Sequence, residues 1–179
     1  MKKNKILLLT TTALFTALIT VGTAVIQFPV GHGYVHFGDS IIYLASCILP
    51  GPCAIFAASA GAAIADLATG FAVYAPATVI IKALNAIPFV LMRIYLKRKK
   101  KDDRILNWQI CLMLVPTTLV TFFGYLIAEY IMFGSEFAVA SAFASGWIQP
   151  VGSLAVFLIL AAALDKIKFK KNIITQLFN

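Results

Sequence analysis

The sequence predicts an all-α integral membrane protein, a six-transmembrane-helix bundle, and three observations carry that prediction. Of 179 residues, 61% are hydrophobic and only 12% are charged, whereas a soluble domain carries about 25% charge. The few charges are bunched, leaving uncharged runs at 6–38, 40–65, 105–128 and 137–164. A helix needs roughly 20 apolar residues to cross a bilayer, so runs of this length read as spans, and the mean hydropathy of +0.92 agrees. Finally, the basic residues cluster where an even number of spans would place them on one side.

Helix 1 is expected over about 6–28, ending at Pro29. Its apolar run is longer than the roughly 7–15 residues of a signal-peptide core, so it is read as a span. Helix 2 is expected over about 39–49, short for a span, and "LPGP" breaks the chain before helix 3 at about 53–69. Helix 4 covers about 75–96 and enters through "YAPAT", where Pro76 suits a first helical turn. Helix 5 is placed at about 108–133 and helix 6, after "FGSE", at about 138–164. Residues 1–179 thus make a single membrane domain, with no trusted internal repeat.

Fourteen of the 15 basic residues stand at Lys2, Lys3 and Lys5, at Arg93 and the "KRKKKDDR" run of 97–104, and at Lys166 to Lys171. Positive charge between spans marks the cytoplasmic side. Six helices put these clusters on one face, and the opposite loops at 29–38, 70–74 and 134–137 hold no Lys or Arg. Both termini are therefore expected in the cytoplasm. The net charge of +8 reads as topology, not as a nucleic-acid surface.

An ionisable side chain within a span is costly and tends to mark function. Asp66, Lys82 and Glu129 qualify, and Asn85 follows Lys82 at the i+3 spacing that shares a helix face. Trp147 and Gln149 sit beside Pro150, whose missing N–H opens the backbone. These groups, with Tyr74 and the "GHGYVHFGDS" loop at 31–40, fall in the outer half. They suggest an outward pocket with apolar walls and a few hydrogen-bonding groups.

The expected ligand-binding residues are Tyr34, His36, Tyr74, Lys82, Asn85, Glu129, Trp147 and Gln149. Each has a plainer reading. Lys82 and Glu129 can neutralise one another between helices, Asp66 can cap or solvate a helix end, and Tyr74 and Trp147 can belong to an interfacial belt. The 31–40 loop reads as a lid, with Asp39 capping the start of helix 2.

His32 and His36 stand four apart, but a glycine intervenes and no third ligand is near, so no metal is assigned. Cys47, Cys53 and Cys111 lack metal-ligand spacing and are read as small buried hydrophobes. No cofactor is expected. On helix 1, Ala13 and Ala17 stand four apart and let another helix approach closely, either within the chain or in a partner membrane subunit.

In these residues the chain resembles the substrate-binding S components of energy-coupling factor (ECF) vitamin transporters. The likeness rests on six helices, termini inside, the Ala13/Ala17 pair, and the order of "HFGD", "LPGP", "ADL" and "YAPATVIIK" within 33–86. That stretch looks most like the riboflavin-type branch, which includes members assigned to hydroxymethylpyrimidine or pyridoxine. The resemblance implies a vitamin-binding subunit that works with a membrane T subunit, contacted through Ala13 and Ala17, and with two cytosolic ATPases. It also implies that the first loop gates the ligand and that the subunit topples in the membrane. The chain has no P-loop of its own.

A small, single-ring, hydroxylated ligand is favoured over riboflavin, because few deep aromatics accompany Lys82 and Glu129. Two other classes compete. A stand-alone carrier or channel is disfavoured by the lack of a repeat. An intramembrane aspartyl enzyme would pair Asp39 with Asp66, but His36-Phe37-Gly38-Asp39 departs from the expected Gly-x-Gly-Asp.

Overall fold

The computed structural model describes residues 2–30, 33–144 and 146–174; of 2–4, 29, 30, 33–35, 144, 173 and 174 only the backbone is described. The elements in order are helix α1 (Lys2–Ala24), strands β1 (Gln27–Val30) and β2 (Gly33–His36), then helices α2 (Gly38–Ile48) and α3 (Gly51–Thr69). A 3-10 turn (Ala72–Tyr74) leads into α4 (Ala75–Arg98), followed by α5 (Trp108–Leu112), α6 (Leu114–Phe133), α7 (Ser135–Ala144) and α8 (Ile148–Lys166). A last π turn spans Lys170–Ile174. The protein is an all-α membrane protein with one small hairpin.

Among the described residues, five stretches are long and apolar enough to cross a bilayer, the α5–α6 and α7–α8 pairs each counting as one. Helix α2 has 11 residues, about 16 Å at 1.5 Å per residue, well short of the roughly 30 Å hydrocarbon core. Ten of those residues are buried, so α2 lies sheathed by the others.

Three breaks depart from the expected spans, and proline accounts for each. A proline ring removes one N–H and crowds the carbonyl four residues earlier. Helix α1 stops at Ala24, next to Val25, four residues before Pro29, and does not reach 28. The chain turns instead into an antiparallel hairpin that pairs Gln27 with His36 and Pro29 with Tyr34. The expected fifth helix breaks after Leu112, four before Pro116, and the expected sixth breaks at Gly146, four before Pro150. Both prolines then sit in a first helical turn, where N–H groups have no intrahelical partner. Pro88, by contrast, is accommodated inside α4.

Two close approaches lock α1 to its neighbours. A Cβ at Gly38 would fall 1.9 Å from the Thr23 hydroxyl, and one at Gly61 would fall 2.8 Å from the Thr16 carbonyl. Only hydrogen fits at either place. Thr20 Oγ1 adds a hydrogen bond of 2.9 Å to the Gly61 carbonyl. The face of α1 that meets α3 is therefore Thr16, Ile19 and Thr20, while Ala13 and Ala17 are exposed on its flank. Deeper in, Tyr43 stacks on Phe89 at 4.8 Å and meets Phe157 edge-on at 5.9 Å, joining α2, α4 and α8.

Large apolar side chains such as Leu9, Ile80, Ile131 and Ile159 cover the outside. A water-facing surface would not tolerate so continuous an apolar patch, and hydrocarbon does. At the lysine-rich end, both Asp165 oxygens accept backbone N–H bonds from Ile105 and Leu106 at 2.7 Å. Asp102 stands 2.5 Å from Lys170 Nζ and 3.6 Å from Arg93 Nε. Arg93 also donates to the Leu49 carbonyl.

Candidate functional site

Helical spacing assembles the site at the hairpin end. On α4, Thr78, Lys82 and Asn85 are buried on one face, because residues three and four apart stack. On α6 the same rule aligns Thr121, Tyr125 and Glu129. Between these helices lies a cavity of about 110 Å³, open at one end. The wall is completed by Asp66 from α3, Phe71 just before the 3-10 turn and Tyr74 at its end, Ser141 from α7, His36 from β2 and Gln149 from α8.

A polar clasp closes the inner wall. Lys82 Nζ lies 2.6 Å from Asp39 Oδ1 and donates to Oδ2 at 2.9 Å, with the two side chains 1% and 0% exposed. Gln149 Nε2 donates to Asp39 Oδ2 at 3.1 Å and lies 3.2 Å from the His36 carbonyl. Its Oε1 accepts the His36 backbone N–H at 2.8 Å. Strand β2, α2, α4 and α8 are thus tied through one amide and one ion pair. A buried ion pair is costly to assemble from water and much costlier to leave half-made.

The His36 ring is neutral. Gly38 N–H donates to its Nδ1 at 3.1 Å, so that nitrogen is the unprotonated one. Burial lowers the imidazole pKa from 6.5 to about 4, outweighing the opposing pull of Asp39.

Facing the clasp is an aromatic wall. Lys82 Nζ sits 5.3 Å from the Tyr125 ring centre, within cation–π range. The Tyr125 hydroxyl lies 3.3 Å from Thr78 Oγ1. At the mouth, Glu129 Oε1 accepts from Ser141 Oγ at 3.0 Å and from Tyr74 at 3.4 Å.

Five of the expected residues meet here: His36, Tyr74, Lys82, Glu129 and Gln149 all line the cavity. Asn85 lies just beneath the wall, fully buried, its amide donating to Thr121 Oγ1 at 2.9 Å. Trp147 lies behind the wall, 46% exposed, stacked at 4.5 Å on Phe122, which does line the cavity. The Tyr34 side chain and His32 fall outside the described residues.

One plainer reading falls and one expectation is corrected. Lys82 does not pair with Glu129; its partner is Asp39. Asp39 is not the cap of α2 either, because Phe37 occupies the cap position without a side-chain bond and Asp39 lies inside the first turn. The first turn of α2 points into the bundle, so a carboxylate there meets α4 instead of its own backbone. That ion pair also separates Asp39 from the shared-proton arrangement of an aspartyl enzyme. Tyr125, Thr78, Thr121, Phe122 and Ser141 were not singled out from sequence; the four-residue ladder Thr121, Tyr125, Glu129 was the available signal.

A family model described as "ECF-type riboflavin transporter, S component" matches residues 3–166. The chain matches no curated protein and no solved structure.

Proposed function

The chain belongs to the family of ECF-type riboflavin transporter S components, and from that premise we propose that it captures a small B vitamin or vitamin precursor at the hairpin end. Hydroxymethylpyrimidine or pyridoxine is the favoured ligand, with riboflavin next. The observation that carries this reading is the cavity itself, where five of the residues expected from sequence line one space among the rings of Phe71, Tyr74, Phe122 and Tyr125.

In this reading the lysine-rich end faces the cytoplasm and the cavity opens outward beneath the β1–β2 hairpin. The hairpin acts as the gate, tethered through His36 and Gln149. A membrane T subunit docks on α1 through Ala13 and Ala17, whose exposure beside the face that meets α3 supports a partner over internal packing. Two cytosolic ATPases supply the energy that this chain has no P-loop to capture.

Titration calorimetry on the purified protein with riboflavin, hydroxymethylpyrimidine and pyridoxine tests the proposal. Binding at about micromolar affinity or tighter is expected for one of them, and Lys82→Ala abolishes it. Absorbance adds a direct readout, since bound riboflavin colours the protein yellow and a pyridine or pyrimidine does not. Silence across the panel overturns the reading.

A further inference from the structure

The Thr121 hydroxyl lines the cavity, is 3% exposed, and has no acceptor for its hydrogen among the described residues. Its Oγ1 accepts the Asn85 amide at 2.9 Å, which uses a lone pair and leaves the O–H to be placed. Earlier threonines of α6 place theirs on their own helix. Thr117 and Thr118 donate to the Met113 and Leu114 carbonyls four residues back, at 2.7 and 2.8 Å. Thr121, held from α4, makes no such bond among the described residues. Asn85 itself is fully buried and does not line the cavity, and its Oδ1 has no donor among the described residues. Its one hydrogen bond among them goes to Thr121.

A buried donor without an acceptor is rarer and costlier than an acceptor with a lone pair to spare, so a hydroxyl left in this state calls for a guest. The guest must bring an acceptor. A ligand hydroxyl would arrive with a hydrogen of its own to place, whereas an aromatic nitrogen brings a lone pair alone. Such a nitrogen lies in the plane of its ring, and rings of the wall flank Thr121 along α6: Phe122 is the next residue and Tyr125 stands one turn on. Thr78 and Tyr125 offer a less definite contact, since either of these hydroxyls, 3.3 Å apart, can donate to the other. The Thr121 oxygen is pinned from behind, and its polarity is set.

Resting on the vitamin-binding reading above, we propose that Thr121 reads an unprotonated ring nitrogen of the ligand, donating its O–H to the nitrogen lone pair. Asn85 is the positioning residue, holding the hydroxyl oxygen from behind the wall. The site then selects a heterocycle over the isostere in which C–H replaces that nitrogen, because the C–H would leave the hydroxyl hydrogen buried and unpaired.

Calorimetry on the full chain in nanodiscs tests this, with pyridoxine, hydroxymethylpyrimidine and riboflavin each compared with its deaza isosteres, one ring nitrogen exchanged for C–H. For the parent that binds, exchange of one nitrogen is expected to weaken binding about tenfold or more, the scale of one buried hydrogen bond. This comparison uses the unaltered protein and needs no variant. Thr121→Val should bring the ratio towards one, and Thr121→Ser, which keeps the hydroxyl, should preserve it. Asn85→Leu should lower the ratio on its own and leave it unmoved in the Thr121→Val background, a dependence that a purely structural asparagine would not show. If every deaza isostere binds as tightly as its parent, or Thr121→Val leaves the ratio unchanged, this inference falls and the vitamin-binding reading stands. If Asn85→Leu moves the ratio equally in both backgrounds, the role given to Asn85 falls. If no compound binds, the inference and the reading beneath it both fall.

Discussion

At the hairpin end, Lys82 and Asp39 meet inside the helix bundle at 1% and 0% exposure. At the lysine-rich end, Asp102 stands between Arg93 and Lys170 with side chains 5–15% exposed, at the rim beside a run of further lysines. Both groupings join residues remote in sequence, and both are acid–base pairs. They differ in what surrounds them. The Asp102 carboxylate has two cations within reach, so the loss of one partner leaves it another. The buried carboxylate has one ammonium within reach and an amide to share, so every member of that group is needed. Positive charge at the rim is the kind that orients a chain in the bilayer, and a charge inside it is costly and tends to mark function.

Lys82→Met should break this contrast most severely. It leaves Asp39 buried without its cation, a loss of about 3–5 kcal/mol, read as a large drop in melting temperature together with loss of ligand binding. Pairing it with Asp39→Leu should recover most of the stability, because two apolar groups replace two charges, and none of the binding. If the double variant stays as unstable as the single one, the pair is not an isolated unit.

Gln149→Leu comes next. It strands the His36 backbone N–H and removes a donor from Asp39, at a cost of about 1–3 kcal/mol. Hydrogen exchange should speed up at His36 while the amides of α1 keep their protection. Acid should act on the same tether. With its pKa at about 4 when folded against 6.5 otherwise, His36 contributes stability that is full above 6.5 and is lost as the pH falls from there towards 4. Loosening of the hairpin across that window, followed by hydrogen exchange, is expected, and His36→Gln should flatten the profile.

Asp102→Asn should do least. With side chains only 5–15% exposed, the cost exceeds the about 0–1 kcal/mol of a solvent-exposed pair. The asparagine still offers Lys170 an acceptor, however, and the bond from Arg93 to the Leu49 carbonyl remains. A shift in melting temperature that rivals that of Lys82→Met would erase the distinction drawn between the two ends.

Much of the fold was legible in the residues. Uncharged runs marked the spans, since nothing but hydrocarbon accommodates so little charge over such length. Pro29, Pro116 and Pro150 were equally visible, and the breaks four residues before them follow from a missing N–H and a crowded carbonyl. The face of α1 was undecided until Gly61 was seen against Thr16. The site was half legible. Lys82 and Glu129 stood out because a charge within a span is costly, whereas Tyr125 and Thr121 read as ordinary span residues until α4 and α6 faced each other.

What the sequence determined by itself was therefore local and solvent-driven: which segments enter the bilayer, where helices must stop, and which side chains are out of place in lipid. Only the tertiary structure decided which of those side chains meet. Periodicity orders residues along one helix, but the choice of Asp39 over Glu129 as the partner of Lys82 depends on how α2 is rotated and sunk among its neighbours. That rotation is set by packing across the whole bundle, at Gly38 against Thr23 and at Tyr43 against Phe89 and Phe157, and no single stretch of chain encodes it.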